Sequence, residues 1–163
     1  MSRTLRISIA VAAGLALGAA LQAGGKEKEK KIQKSDMPAA VQKAADQESA
    51  GATVKGYSEE TENGAVVYQV DLVVGGRAKE ILIGGDGVVV AIEEEVPWAQ
   101  LPAEIQAGLK QQAGKGKIGR VHSITKHGTM TGYEAEVTSK GKKSEVEVGV
   151  DGKAPARAPA PEI

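Results

Sequence analysis

Apolar and polar positions follow two rhythms along this chain. Beginning at Met37, apolar residues recur at helical spacing (Met37, Val41, Ala44, Ala45), and a similar stripe returns at Leu101, Ile105 and Leu109. Pro38 and Pro102 stand at the first turn of each stripe, where a missing N–H costs nothing. Each stripe ends in a glycine-bearing segment, Ser49-Ala50-Gly51 or Ala113-Gly114-Lys115-Gly116. Beyond each helix the period drops to two. Val66, Tyr68, Val70, Leu72 and Val74 share one face of a first run. Later, Tyr133, Ala135 and Val137 alternate with Glu134, Glu136 and Thr138, and Val146, Val148 and Val150 with Glu145 and Glu147. This alternation predicts strands with one buried and one wet face. Between the strands fall Asn63-Gly64, Gly75-Gly76, Asp86-Gly87, His127-Gly128, Lys140-Gly141 and Asp151-Gly152, dipeptides suited to tight primed turns with positive φ at both central positions.

The two halves align with each other at an offset of 64, becoming 65 after one inserted residue. Met37-Pro38-Ala39-Ala40-Val41 matches Leu101-Pro102-Ala103-Glu104-Ile105, and Asn63-Gly64 matches His127-Gly128. Tyr68 then matches Tyr133, Gly76 matches Gly141, Glu80-Ile81 matches Glu145-Val146, and Asp86-Gly87 matches Asp151-Gly152. Matches in one constant order point to an internal duplication. The expected fold class is α+β: two tandem repeats, each a helix packed on its own antiparallel β-meander. The first meander has four strands, ending in Val88 to Ile92. The second has about three, because Pro155, Pro159 and Pro161 cannot fill a central ladder. The expected divisions are residues 1–23, a signal peptide; 24–35, a charged linker; 36–96 and 97–153, the two repeats; and 154–163, an Ala/Pro-rich tail.

The leader carries the first functional information. Arg3 and Arg6 precede an uncharged apolar run from Ile7 to Leu21, and small residues Gly18, Ala19, Ala20 and Ala23 follow as a cleavage region. Removing that segment leaves 19 basic against 21 acidic residues, a net charge of −2. An exported chain is therefore expected, periplasmic or secreted, with no stable membrane span after cleavage. The absence of cysteine excludes disulfides, thiol catalysis and Cys-based metal sites, and the balanced charge argues against nucleic acid as a partner.

This layout resembles the PepSY family, specifically the tandem beta-lactamase-inhibitor-like PepSY-like proteins of bacterial envelopes. The resemblance rests on the Met37-Pro38 and Leu101-Pro102 helix starts, the Asn63-Gly64 and His127-Gly128 turns before Tyr68 and Tyr133, and the Asp86-Gly87 and Asp151-Gly152 strand ends. It covers roughly residues 37 to 153. It implies a helix on an antiparallel sheet, an extracytoplasmic location, and protein binding or peptidase inhibition, with no catalytic residues to carry over.

Candidate chemistry is sparse. His122 and His127, five apart, are expected on opposite sides of a strand and turn, unable to converge on a metal. Glu93-Glu94-Glu95 reads as a solvated strand end. Gly84-Gly85-Asp86-Gly87 leads into a strand, whereas phosphate loops lead into a helix. No catalytic residue, metal ligand or cofactor is expected, and the chain is read as a non-enzyme. The candidate binding residues are Trp98, at the junction of the repeats, and Glu134, Glu136, Glu145 and Glu147 on the wet sheet face. The expected function is an exported binding module that engages or inhibits an envelope protein such as a peptidase. The alternative is a carrier or sensor of a small ligand in a crevice between the lobes, near Trp98, Tyr68 and Tyr133.

Overall fold

A computed structural model describes residues 29–62 and 65–155. The expected signal peptide, the Asn63-Gly64 turn and the tail from residue 156 onward lie outside the described residues. In chain order the elements are β1 (Lys30–Ile32), α1 (Ala39–Glu48), β2 (Thr53–Glu62), β3 (Ala65–Val74), β4 (Arg77–Gly84) and β5 (Val89–Glu95). They continue as α2 (Ala103–Ala113), β6 (Lys117–Lys126), β7 (Thr129–Ser139) and β8 (Lys142–Gly149). Short 3-10 turns at Lys34–Asp36 and Trp98–Gln100 lead into the two helices.

The strands form one continuous eight-stranded sheet in which every neighbour is antiparallel and spatial order equals chain order. This corrects the expected fold class of two tandem repeats, each a helix on its own meander. The correcting contact is the ladder between β5 and β6, running from Ala91↔Lys126 to Glu95↔His122. Two separate sheets would leave the open edges of β5 and β6 with unpaired backbone donors and acceptors, and pairing them removes both edges. The charged segment expected as a linker also contributes structure. Lys30–Ile32 pairs with β2, and Ile32 packs on the core below α1.

Both helices lie on the same face. One sheet row (Leu72, Lys79, Glu94, Ser123, Tyr133, Val148) runs across β3 to β8 and carries members of both helix-side clusters. Met37, Val41, Ala44 and Ala45 bury against Tyr68, Val70, Leu72, Ile81 and Ile83. Leu101, Ile105 and Leu109 bury against Val121, Ala135 and Val148. Val66 and Val74, expected in the buried stripe of β3, are exposed at its ends. A third, smaller cluster (Val67, Leu82 and Ala91) sits on the opposite face.

The turns divide into two kinds. Gly75-Gly76, His127-Gly128 and Lys140-Gly141 have positive φ at both positions, as a primed hairpin turn requires. Asp86 and Asp151 do not, although the sequence suggested it. There only the following glycine is left-handed, and the aspartate carboxylate accepts the N–H two residues on, from Val88 and from Lys153, each at 3.0 Å. The helix entries also share a device. Gln42 donates its side-chain amide to the Met37 carbonyl at 2.8 Å, and Gln106 to that of Leu101 at 3.0 Å.

Tyr68 is buried in the first cluster, while Tyr133 is half-buried at the margin of the second. Thermal or urea unfolding of Tyr68→Ala is expected to show a loss of about 3 kcal/mol, and Tyr133→Ala a smaller one of about 2 kcal/mol. Equal losses would mean that the two rings are packed alike.

Candidate functional site

The sheet face turned away from both helices is where side chains of unusual character gather. Strand register builds it in rows. Asp71, Glu80 and Glu93 stand side by side on β3, β4 and β5. The next row is Glu95, His122, Glu134 and Glu147 on β5 to β8. Beyond it Glu136 faces Glu145. Like charges placed directly opposite across strands normally destabilise a sheet, so a succession of them is not a packing device.

Burial sharpens the contrast. Glu93 is 0% exposed, His122 2% and Glu134 7%. Neither carboxylate oxygen of Glu93, neither ring nitrogen of His122 and not Oε1 of Glu134 has a hydrogen-bond partner among the described residues. His122 and Glu134 are direct cross-strand partners, yet the orphaned atoms show that they do not bond. Ser58, buried on the same face opposite Gln69, also lacks a partner for its hydroxyl among the described residues, whereas several neighbours are engaged. Gln69 donates to Asp71 at 2.6 Å and to Glu80 at 3.3 Å, and Arg120 donates to Glu136 at 2.6 Å.

The electrostatics follow from this arrangement. Burial first, then the neighbouring Asp71, pushes the Glu80 carboxyl up to about 8. Burial, then Glu134 and Glu80, pushes Glu93 up to about 9. Burial, then Glu145 and Glu147, pushes Glu134 up to about 8. The His122 imidazole is held below its usual value by burial and, next, by Arg120. Glu136 goes the other way: burial opposes its charge, but the bond from Arg120 outweighs that and holds it below the carboxylate range. At neutral pH the face therefore carries protonated carboxyls at Glu80, Glu93 and Glu134 beside an ionised Glu136 held by Arg120.

The residues named from sequence are distributed unevenly. Glu134, Glu136, Glu145 and Glu147 do share this face, but of the four only Glu145 is exposed; Glu134 is buried, and Glu136 and Glu147 are half-buried. The Glu93-Glu94-Glu95 run does close β5, with Glu94 exposed and Glu95 half-buried, but the solvated reading fails at Glu93, which is buried between the flanking strands of the sheet interior. Glu80, Glu93 and His122 are the members that sequence reasoning missed. The signal available for them was their phase: in β4, β5 and β6 they alternate with residues of the helix-facing rows.

Trp98 does not belong to this face. It packs on the second cluster from the Trp98–Gln100 turn, with the Lys110 ammonium 5.5 Å from its ring centroid. A shallow cleft of about 320 Å³ does lie on the helix side, lined by Val74, Arg77, Lys79, Glu94, Val96 and Ser123 among others. It contains neither Trp98 nor either tyrosine of the expected crevice, since Tyr68 and Tyr133 are committed to separate clusters. His127 occupies a turn with φ +48°, its backbone N–H donating to the Val90 carbonyl at 3.0 Å. Among the described residues, no three His, Asp or Glu side chains are placed to hold a metal ion, and no helix is long and apolar enough to cross a membrane.

Known proteins share this architecture at low identity. A BLIP-like protein from Bacteroides fragilis superposes with a TM-score of 0.53 at 20% identity, covering 72% of this chain and 82% of its own. A DUF2874 family protein from Bacteroides uniformis gives 0.57 at 16% identity, with 72% and 85% covered. A protein from Bacteroides eggerthii described as of periplasmic type gives 0.58 at 16% identity, with the same coverage. These likenesses establish a common fold. No family model matches the chain, and no curated protein matches it in sequence.

Proposed function

We propose that the protein is an exported binding module of the BLIP-like and PepSY-like kind, acting in the bacterial periplasm by association with an envelope protein and not by turnover. One observation carries the reading: the sheet face free of both helices concentrates buried polar groups that have no partner within the described chain. A fold maintained for its own stability would hydrogen-bond such groups or replace them by apolar ones. Flat, polar sheet faces are suitable platforms for another protein, and the named likenesses are to a BLIP-like protein and to one described for the periplasm. Inhibition of a peptidase is the finer form of this proposal. The small-ligand alternative draws less support, because Trp98 and Tyr133 pack on the second cluster whereas Tyr68 is buried in the first.

The test places a photo-crosslinking side chain at Glu147, half-buried on the polar face, and in a second variant at Lys43, exposed on α1. Each is exposed to envelope extract and illuminated. A recurrent product from Glu147 and none from Lys43 is the expected result, and a peptidase among the products is then assayed for inhibition. Products from Lys43 alone, or from neither position, overturn the reading.

A further inference from the structure

The orphaned groups also point to the chemistry of what they meet. Resting on the binding-face reading above, we propose that the centre of this face receives a cationic side chain, a lysine or arginine presented by the partner, between Glu80, Glu93 and Glu134. Glu93 and Glu134 stand on strands separated only by β6, on one face, and together they leave three buried carboxylate oxygens without a donor. Glu93 and Glu134 hold protons near neutral pH, so the incoming cation displaces them, its donors satisfy the oxygens left ionised, and binding tightens as the pH rises toward 9.

Among the described residues none supplies that donor. Arg120 is taken up by Glu136, Gln69 is shared between Asp71 and Glu80, His122 is buried with its charged form disfavoured, and Lys126, whose charge favours ionisation of Glu93 and Glu134, makes no bond to the orphaned oxygens. An anionic ligand would meet carboxyls on every side. A metal ion would need three ligands in convergence, which the described residues do not offer. What remains is a multi-donor organic cation on a long apolar stem, and lysine and arginine are the two side chains that combine these properties. The stem matters, because Glu93 is fully buried while its cross-strand neighbour Glu80 is only half-buried, so a donor must reach in from the surface.

The probe is octalysine, with octaglutamate as its counterpart, titrated into the isotopically labelled protein at low salt and followed by amide shifts and calorimetry. Octalysine is expected to move resonances at Glu80, Glu93 and Glu134, and octaglutamate none. The double variant E93Q/E134Q, neutral and close in shape, is expected to weaken octalysine binding at least tenfold. E104Q, on the exposed start of α2, should leave it unchanged. No binding, or equal affinity in E93Q/E134Q, overturns the cationic assignment. If that happens while the Glu147 crosslinker still captures a protein, only the assignment falls; if the crosslinker also fails, the binding face falls with it.

Discussion

Raising the pH from 5 to 9 lowers the melting temperature of this protein by roughly 10 °C, a loss on the order of 4 kcal/mol. The cause is the buried acid cluster. Glu80, Glu93 and Glu134 titrate near 8, 9 and 8 in the folded chain, against an ordinary 4.5. Through that interval the folded state holds protons that the unfolded chain has released. Stability therefore falls as pH climbs from about 4.5 and levels off above about 9. Each unit of displacement corresponds to about 1.4 kcal/mol, of which water entry and side-chain relaxation absorb the larger part. Two groups act in the opposite sense on the acid side. His122, kept neutral by burial, and Glu136, kept ionised by Arg120, both resist protonation, so stability also falls toward low pH. Three raised carboxyls outweigh one histidine above pH 5, so the maximum is expected at about pH 4 to 5. The substitution Glu93→Gln separates the causes: it should raise the melting temperature at pH 8.5 and change it little at pH 5. A flat profile from pH 5 to 9, or no gain for Glu93→Gln, would show that the cluster reaches solvent.

A single methyl group at Gly108 should be nearly as damaging. Gly108 lies on α2, buried, with the carbonyl oxygen of Gly152 directly where a Cβ would stand. Gly152 in turn presses on the Glu104 carbonyl and has φ +74°, a conformation that favours glycine. The Asp151-Gly152 turn is thus seated on the first turns of α2 by backbone contact, with no side chain between to yield. Gly108→Ala must drive the helix and turn apart, and a loss of about 4 to 5 kcal/mol is expected from denaturant unfolding, at the upper end for point changes. Gly85→Ala is the control, since a Cβ there meets nothing and φ is unremarkable; it should be neutral within about 0.5 kcal/mol. Ala is otherwise the better helix residue by about 1 kcal/mol, so a neutral or stabilising Gly108→Ala would show that the turn contact yields.

These two predictions draw on different amounts of information in the primary structure. The helices and the strands beyond them follow from Pro38 and Pro102, the changes of period and the glycine turns, all of them local signals. The joining of β5 to β6 leaves no such mark. It is made by backbone groups that every residue carries, so internal similarity describes the units without saying whether their edges meet. The acid face divides in the same way. Glu134, Glu136, Glu145 and Glu147 could be assigned to one face by alternation. That Glu93 is sealed while Glu145 is open depends on position within the sheet, with β5 interior and β8 at its margin. The turns at Asp86 and Asp151 teach a smaller lesson: an aspartate before glycine can cap its own turn and leave the left-handed position to the glycine alone.

The identity of strand order and chain order has a kinetic consequence. Every ladder joins segments that follow one another, and even the longest connection, between β5 and β6, is bridged by a helix that packs onto β6, β7 and β8. Closing each successive hairpin costs little chain entropy, since no ladder waits for a distant partner. The sheet can therefore grow from any of its turns, one strand at a time. Despite its all-antiparallel content, such a chain should refold faster than Greek-key sandwiches of similar length, whose pairings are remote.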